Sequence, residues 1–128
     1  MTREIKLAHC VLRVTVALEF LGHGWLAFHG EPAWMPFVTF WGFSDGVVPS
    51  IMRVVGVLDF ALALHVLIRP WVPLVGWMAF WGFFTATLRP LTGLTLVEFI
   101  ERGANFGAPL ALLLLLLASR TRTDSAAT

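Results

Sequence analysis

Four long apolar runs, each broken by a few polar positions, divide the chain at about Leu7 to Phe28, Ser50 to Ile68, Trp71 to Leu88 and Thr95 to Ala118. Each is close to the roughly 20 residues that a helix needs to cross a bilayer's hydrocarbon. The polar positions inside them keep helical spacing. His9 and Arg13 are four apart, as are Glu19 and His23, while Arg53, Asp59 and His65 follow one another at intervals of six. At ~100° per residue, Arg13 and Glu19 point roughly 240° apart and do not form a mutual pair. In the fourth run Glu98, Glu101, Arg102 and Asn105 fall at i, i+3, i+4 and i+7, which is one face of a continuous helix. The third run holds no charge, so it is expected to face lipid more than its neighbours do.

Breakers separate the runs. Gly30 to Pro49 is too short and too interrupted to span. Its Trp34, Phe37, Phe40, Trp41 and Phe43 suit a short re-entrant or interfacial helix between helices 1 and 2, followed by a turn at Ser44 to Gly46. Arg69-Pro70 ends the second run, because the residue before a proline is pushed out of the α region. Arg89-Pro90 and Thr92-Gly93 separate the third run from the fourth. Pro109 is expected to loosen the last helix near Asn105. Gly22 and Gly24 remove side chains around His23, and Gly103-x-x-x-Gly107 offers a further close-packing face. Trp41-Gly42-Phe43 and Trp81-Gly82-Phe83 read as recurrent composition more readily than as an internal duplication.

Composition turns four helices into a membrane protein. With 58% hydrophobic and 13% charged residues and a mean hydropathy of +0.81, the chain has too little polar surface to cover a small soluble globule, where about a quarter of residues are charged. The fold class expected is all-α: an integral membrane antiparallel four-helix bundle, one transmembrane domain over residues 1–128. A net charge of +1 spread along the chain leaves no footprint for nucleic acid. A single cysteine, Cys10, excludes an internal disulfide or a CxxC pair. The first run, interrupted by Arg13 and Glu19 and lacking a small-residue cleavage site, reads as a retained span. Arg3, Lys6, Arg69, Arg120 and Arg122 gather on one side of such a bundle, against Arg53 and Arg89 on the other. The positive-inside rule then puts both termini in the cytoplasm of a cell whose inner membrane the protein spans.

The polar groups are also layered in depth. At ~1.5 Å per residue, Asp59 lies roughly 13 Å from the outer end of its helix and Asn105 about 15 Å. Glu19, His23, Arg53, Arg89, Glu98, Glu101 and Arg102 share that outer half, so four carboxylates face three guanidinium groups. Asp59 is expected to pair with Arg102 or Arg53. Two readings fit: a structural ion network that locks the helices, or a site for a small amphipathic molecule in which Asp59 and Glu101 exchange protons while Arg102 and His23 hold its polar head. A haem held by both His23 and His65 is not expected, since the two lie near opposite membrane surfaces. His9 with Cys10, or Glu19 with His23, is too few ligands for a metal. No nucleophile triad, phosphate loop or zinc signature occurs. A transporter stays open as a class.

A basic residue early in span one, Gly22-His23-Gly24, Gly56-Val57-Leu58-Asp59, Leu88-Arg89-Pro90, and Glu101-Arg102-Gly103-Ala104-Asn105-Phe106-Gly107-Ala108-Pro109 together resemble the DoxX-like family of small four-span bacterial membrane proteins. Two positions depart from the pattern: Trp25-Leu26 follows the histidine-glycine pair with no lysine nearby, and the acid of span two, commonly glutamate, is Asp59. The resemblance implies the fold and the bacterial cytoplasmic membrane more than it implies an activity. Founding members of that family resemble membrane subunits of a quinone-linked sulfur oxidoreductase, and others act as accessory or assembly factors beside redox and metal-handling systems. The role this implies is that of a redox-associated accessory protein or oxidoreductase subunit, with quinone as candidate ligand. Membrane lipids, a redox-enzyme partner subunit and a second copy of the chain are the expected partners.

Overall fold

A computed structural model describes residues 1–126, with the side chains of all but 123, 124 and 126. The described residues are helical, without strands. In chain order they form α1 (Arg3–Phe28), a 3-10 turn (Pro32–Trp34), α2 (Met35–Thr39), α3 (Val48–Ile68), α4 (Val72–Leu91), α5 (Leu96–Ile100) and α6 (Gly103–Ala126). Two stretches, Val48–Ile68 and Leu96–Arg122, are long and apolar enough to cross a membrane.

The ends of these helices follow from local chemistry. Thr2 caps α1 by accepting a hydrogen bond from the Ile5 N–H. Pro49 and Pro73 sit in the first turns of α3 and α4, where a missing N–H costs nothing. Arg69-Pro70 stops α3 as expected. Arg89-Pro90, by contrast, does not stop α4. The helix runs on to Leu91, with Arg89 anchored by its own side chain to the Thr85 carbonyl at 3.1 Å. Termination passes to Gly93 at φ +95°, where the Gly93 N–H donates to the Pro90 carbonyl and the Leu94 N–H to that of Arg89.

The largest difference lies in the fourth run. It is two helices, with a turn at Glu101-Arg102 where the Arg102 N–H bonds three residues back to Phe99 and the Asn105 N–H three back to Arg102. Gly103, Asn105 and Gly107 are poor helix formers, so little resists this overwinding. The stripe Glu98, Glu101, Arg102, Asn105 is therefore not one helical face.

The helices pack as two pairs, α1 with α3 and α4 with α6, joined along α1 and α6; α3 and α4 barely touch. Glycines set both pair distances. A methyl on Gly56 would meet the Gly24 carbonyl at 2.7 Å, and one on Gly82 would meet the Asn105 carbonyl at 2.5 Å. That second carbonyl is the one Pro109 cannot hydrogen-bond, since its ring nitrogen carries no proton. Toward the ends that carry the chain termini, Val16, Phe20, Leu62, Val66, Val75, Met78 and Leu112 form one apolar core. The other ends of the helices enclose something different.

Candidate functional site

Between the helix pairs, under the aromatic segment, lies a cavity of about 390 Å³, within the range of roughly 300–1,000 Å³ usual for small-molecule sites. Glu19, Phe20, His23 and Ala27 line it from α1, and Met52, Val55 and Asp59 from α3. From α4 come Trp81, Phe84, Thr85 and Arg89, and from α6 Asn105. Trp34, Phe37, Val38, Trp41 and Phe43 roof it. Its walls are chiefly apolar, about half of that aromatic, and its polar groups are Glu19, His23, Asp59, Thr85, Arg89 and Asn105.

Five of the residues singled out in the sequence thus meet in one place: Glu19, His23, Asp59, Arg89 and Asn105. Asp59 is 4% exposed and Arg89 6%. The Arg89 guanidinium sits 5.2 Å from the centre of the Phe37 ring, a cation–π contact that partly replaces the water it has lost. His23 Nδ1 lies 4.0 Å from Glu19 Oε1, and Trp34 meets the His23 ring edge-on at 5.5 Å. Asp59 is close enough to act electrostatically on Glu19.

The other four do not line the cavity. Arg53 borders a separate hollow with Phe28, His29, Gly30, Met35 and Pro49, so the expected Asp59–Arg53 pair is absent. Asp59–Arg102 is absent too: Arg102 pairs with its neighbour Glu101 at 3.4 Å. The Glu101 side chain is 54% exposed, which removes it from the proton-exchanging position expected of it. The turn at 101–102 interrupts the helical register on which both expectations rest. Arg102 still acts through space on Glu19, His23 and Arg89, and Glu98 and Glu101 on Arg89. Among the described residues, both ion pairs lie within one local segment of chain, and none bridges two long helices.

With Arg53, Glu98, Glu101 and Arg102 outside it, the cavity keeps fewer charges than the sequence count of four carboxylates to three guanidinium groups. Two carboxylates and one guanidinium face the cavity, so its lining has an excess of acid. No hydrogen bond or ion pair reaches the Asp59 carboxylate from the described residues. A ligand that could approach it would meet a free acceptor, or donor, on an apolar wall.

Helix α4 departs from expectation. Its uncharged run is expected to face lipid, yet Trp81, Thr85, Leu88 and Arg89 present one helical face to the cavity. The sequence does carry a signal for this: Thr85 and Arg89 are four apart, and the Trp-Gly-Phe triplet places an aromatic beside the glycine that admits α6. Searches among protein-family models, curated proteins and solved structures find no match to this chain.

Proposed function

We propose that the protein is a DoxX-like integral membrane protein of the bacterial inner membrane, an antiparallel four-helix bundle whose outer-half cavity binds a quinone-like molecule on behalf of a partner redox enzyme. Support for the membrane comes from the two long apolar stretches and from the outer surface of α1, where Leu7, Val11, Val14, Leu18, Leu21 and Trp25 are all exposed on one helical stripe. Water would penalise such a surface, and lipid does not.

The observation that carries the ligand is the combination of aromatic walls with buried Asp59 and Arg89. A quinone needs flat apolar walls, a donor at a carbonyl and a proton source on reduction. Arg89 and His23 supply donors, Asp59 and Glu19 the proton-exchanging carboxyls, and the partner subunit would supply electrons. A purely structural ion network draws less support, because the ion pairs do not tie the long helices together.

Gentle extraction followed by mass spectrometry of co-purifying small molecules tests the reading. The wild type should carry a quinone-class molecule, and Asp59→Asn and Arg89→Met should each lose about tenfold of it or more, as expected when a buried polar contact is removed. A wild type without any such molecule, after extraction from quinone-replete cells, would sink the proposal.

A further inference from the structure

The cavity is not open in every direction. On the side of the aromatic segment, Phe37 lies over Arg89 and Trp34 against His23, so the polar groups are covered where the helices end. On the α1 and α6 sides the helices are in contact. The remaining side is the seam between α3 and α4, which barely touch. Lining residues at that seam are Ile51 and Val55 on α3, Phe84 on α4, and Trp41 and Phe43 from the segment between. Trp41 stacks on Phe84 at 5.8 Å, and both Trp41 and Phe43 are about half exposed. Every one of these is apolar.

A mouth of this composition repels a solute arriving from water, which would have to shed its hydration on an apolar rim. It suits a molecule already dissolved in lipid. We propose that the cavity is loaded sideways, through the α3–α4 seam, by a lipid-dissolved molecule with a planar polar ring and an apolar tail. The ring passes between Val55 and Phe84 to reach Asp59 and Arg89, and the tail stays in the seam along Ile51, Trp41 and Phe43. This rests on the reading of the cavity as a ligand site, and it adds the class of ligand and the route.

The test is photolabelling of the full chain in lipid nanodiscs. The probe is a methoxy-substituted benzoquinone whose short alkyl tail carries a diazirine next to the ring, with the same quinone unlabelled as competitor. Adducts on Ile51, Val55 or Phe84 that the competitor removes are expected. Val55→Trp, checked for an unchanged melting temperature, should cut that competable labelling by about tenfold by filling the passage. Should the variant not fold, the wild-type adduct map decides alone. Competable adducts confined to the roof residues Trp34, Phe37, Val38, Trp41 and Phe43 or to the Gly30 region would instead overturn lateral entry while leaving the ligand site standing. Labelling that no competitor removes, scattered over lipid-facing residues such as Leu110 and Leu114, would overturn both.

Discussion

Arg13 leaves α1 and reaches the last turn of α3, where its Nε donates to the Val66 carbonyl at 3.0 Å and its Nη2 to those of Leu67 and Ile68. The final carbonyls of a helix have no partner of their own and carry its negative dipole end, so a guanidinium there satisfies both needs. Close by, His65 Nε2 accepts the Trp71 N–H at 2.8 Å and so fixes the turn into α4. Hydrogen bonds to a charged donor contribute about 1.5–3 kcal/mol, and Arg13→Ala should lose that order of stability. Arg102→Ala, whose one direct ion pair is a partly exposed contact with its neighbour Glu101, should lose much less, about 0–1 kcal/mol. Leu114→Ala, on the exposed side of α6, sets the baseline. Thermal unfolding in detergent ranks the three; an Arg102 variant that fell as far as the Arg13 variant would refute the assignment. At this scale the sequence reveals that Arg13, Glu19, His23, Arg53, Asp59 and His65 lie inside helices, but it misplaces Arg89, which α4 includes, and Glu101 and Arg102, which fall in a turn. It does not reveal their partners, because Asp59, Arg53 and Arg102 meet or miss according to helix rotation, which periodicity leaves free.

Helix pairing depends on two places where backbone meets backbone. Gly56 against Gly24 and Phe28, and Gly82 against Asn105, leave no room for a methyl. Overpacking such contacts costs about 1–3 kcal/mol, since backbone cannot rotate aside as a side chain can. Gly56→Ala and Gly82→Ala should each lower the melting temperature in detergent. Gly107→Ala should leave it unchanged or raise it, because nothing lies within 4 Å of a methyl there and alanine is the better helix former by about 0.5–1 kcal/mol. A loss at Gly107 equal to that at Gly56 would mean that the pairing is set elsewhere. Of the two glycines around His23 that the sequence marks for close approach, Gly24 meets α3 and Gly22 has nothing within 4 Å, while Gly56, which takes the other side of that contact, carries no such signal by spacing. Gly103 and Gly107 carry the stronger motif and pack against nothing within the described chain, since a small-residue spacing says that a neighbour can approach and not that one does. The break at Glu101-Arg102 is illegible for a related reason: an i, i+3, i+4, i+7 pattern survives in sequence when the helix beneath it is interrupted.

For the whole molecule, the number and order of the long helices are readable from the apolar runs, whereas the seam between α3 and α4 is not, because hydropathy is blind to which neighbours actually touch. Orientation draws on sequence and structure together. Ser119 Oγ, which donates to the Leu115 carbonyl, also lies 3.6 Å from Met1 Sδ, so the start of α1 and the later part of α6 share one end of the molecule. Arg13, gripping the last turn of α3, brings the α3–α4 connection to that end as well. Arg3, Lys6, Arg69, Arg120 and Arg122 are therefore collected at one end of the fold, and the aromatic segment with the cavity lies toward the other. Basic residues near short loops hold an end in the cytoplasm. A reporter active only outside the inner membrane should consequently work when inserted at Gly46 and fail when fused after Arg122, and a reporter active only in the cytoplasm should show the reverse. Placement of the cavity matters for the proposed chemistry, since protons would be exchanged with the outer aqueous face. If both insertions report the same compartment, the antiparallel arrangement is wrong; if the two are exchanged, the fold survives and the cavity opens toward the inner half of the membrane.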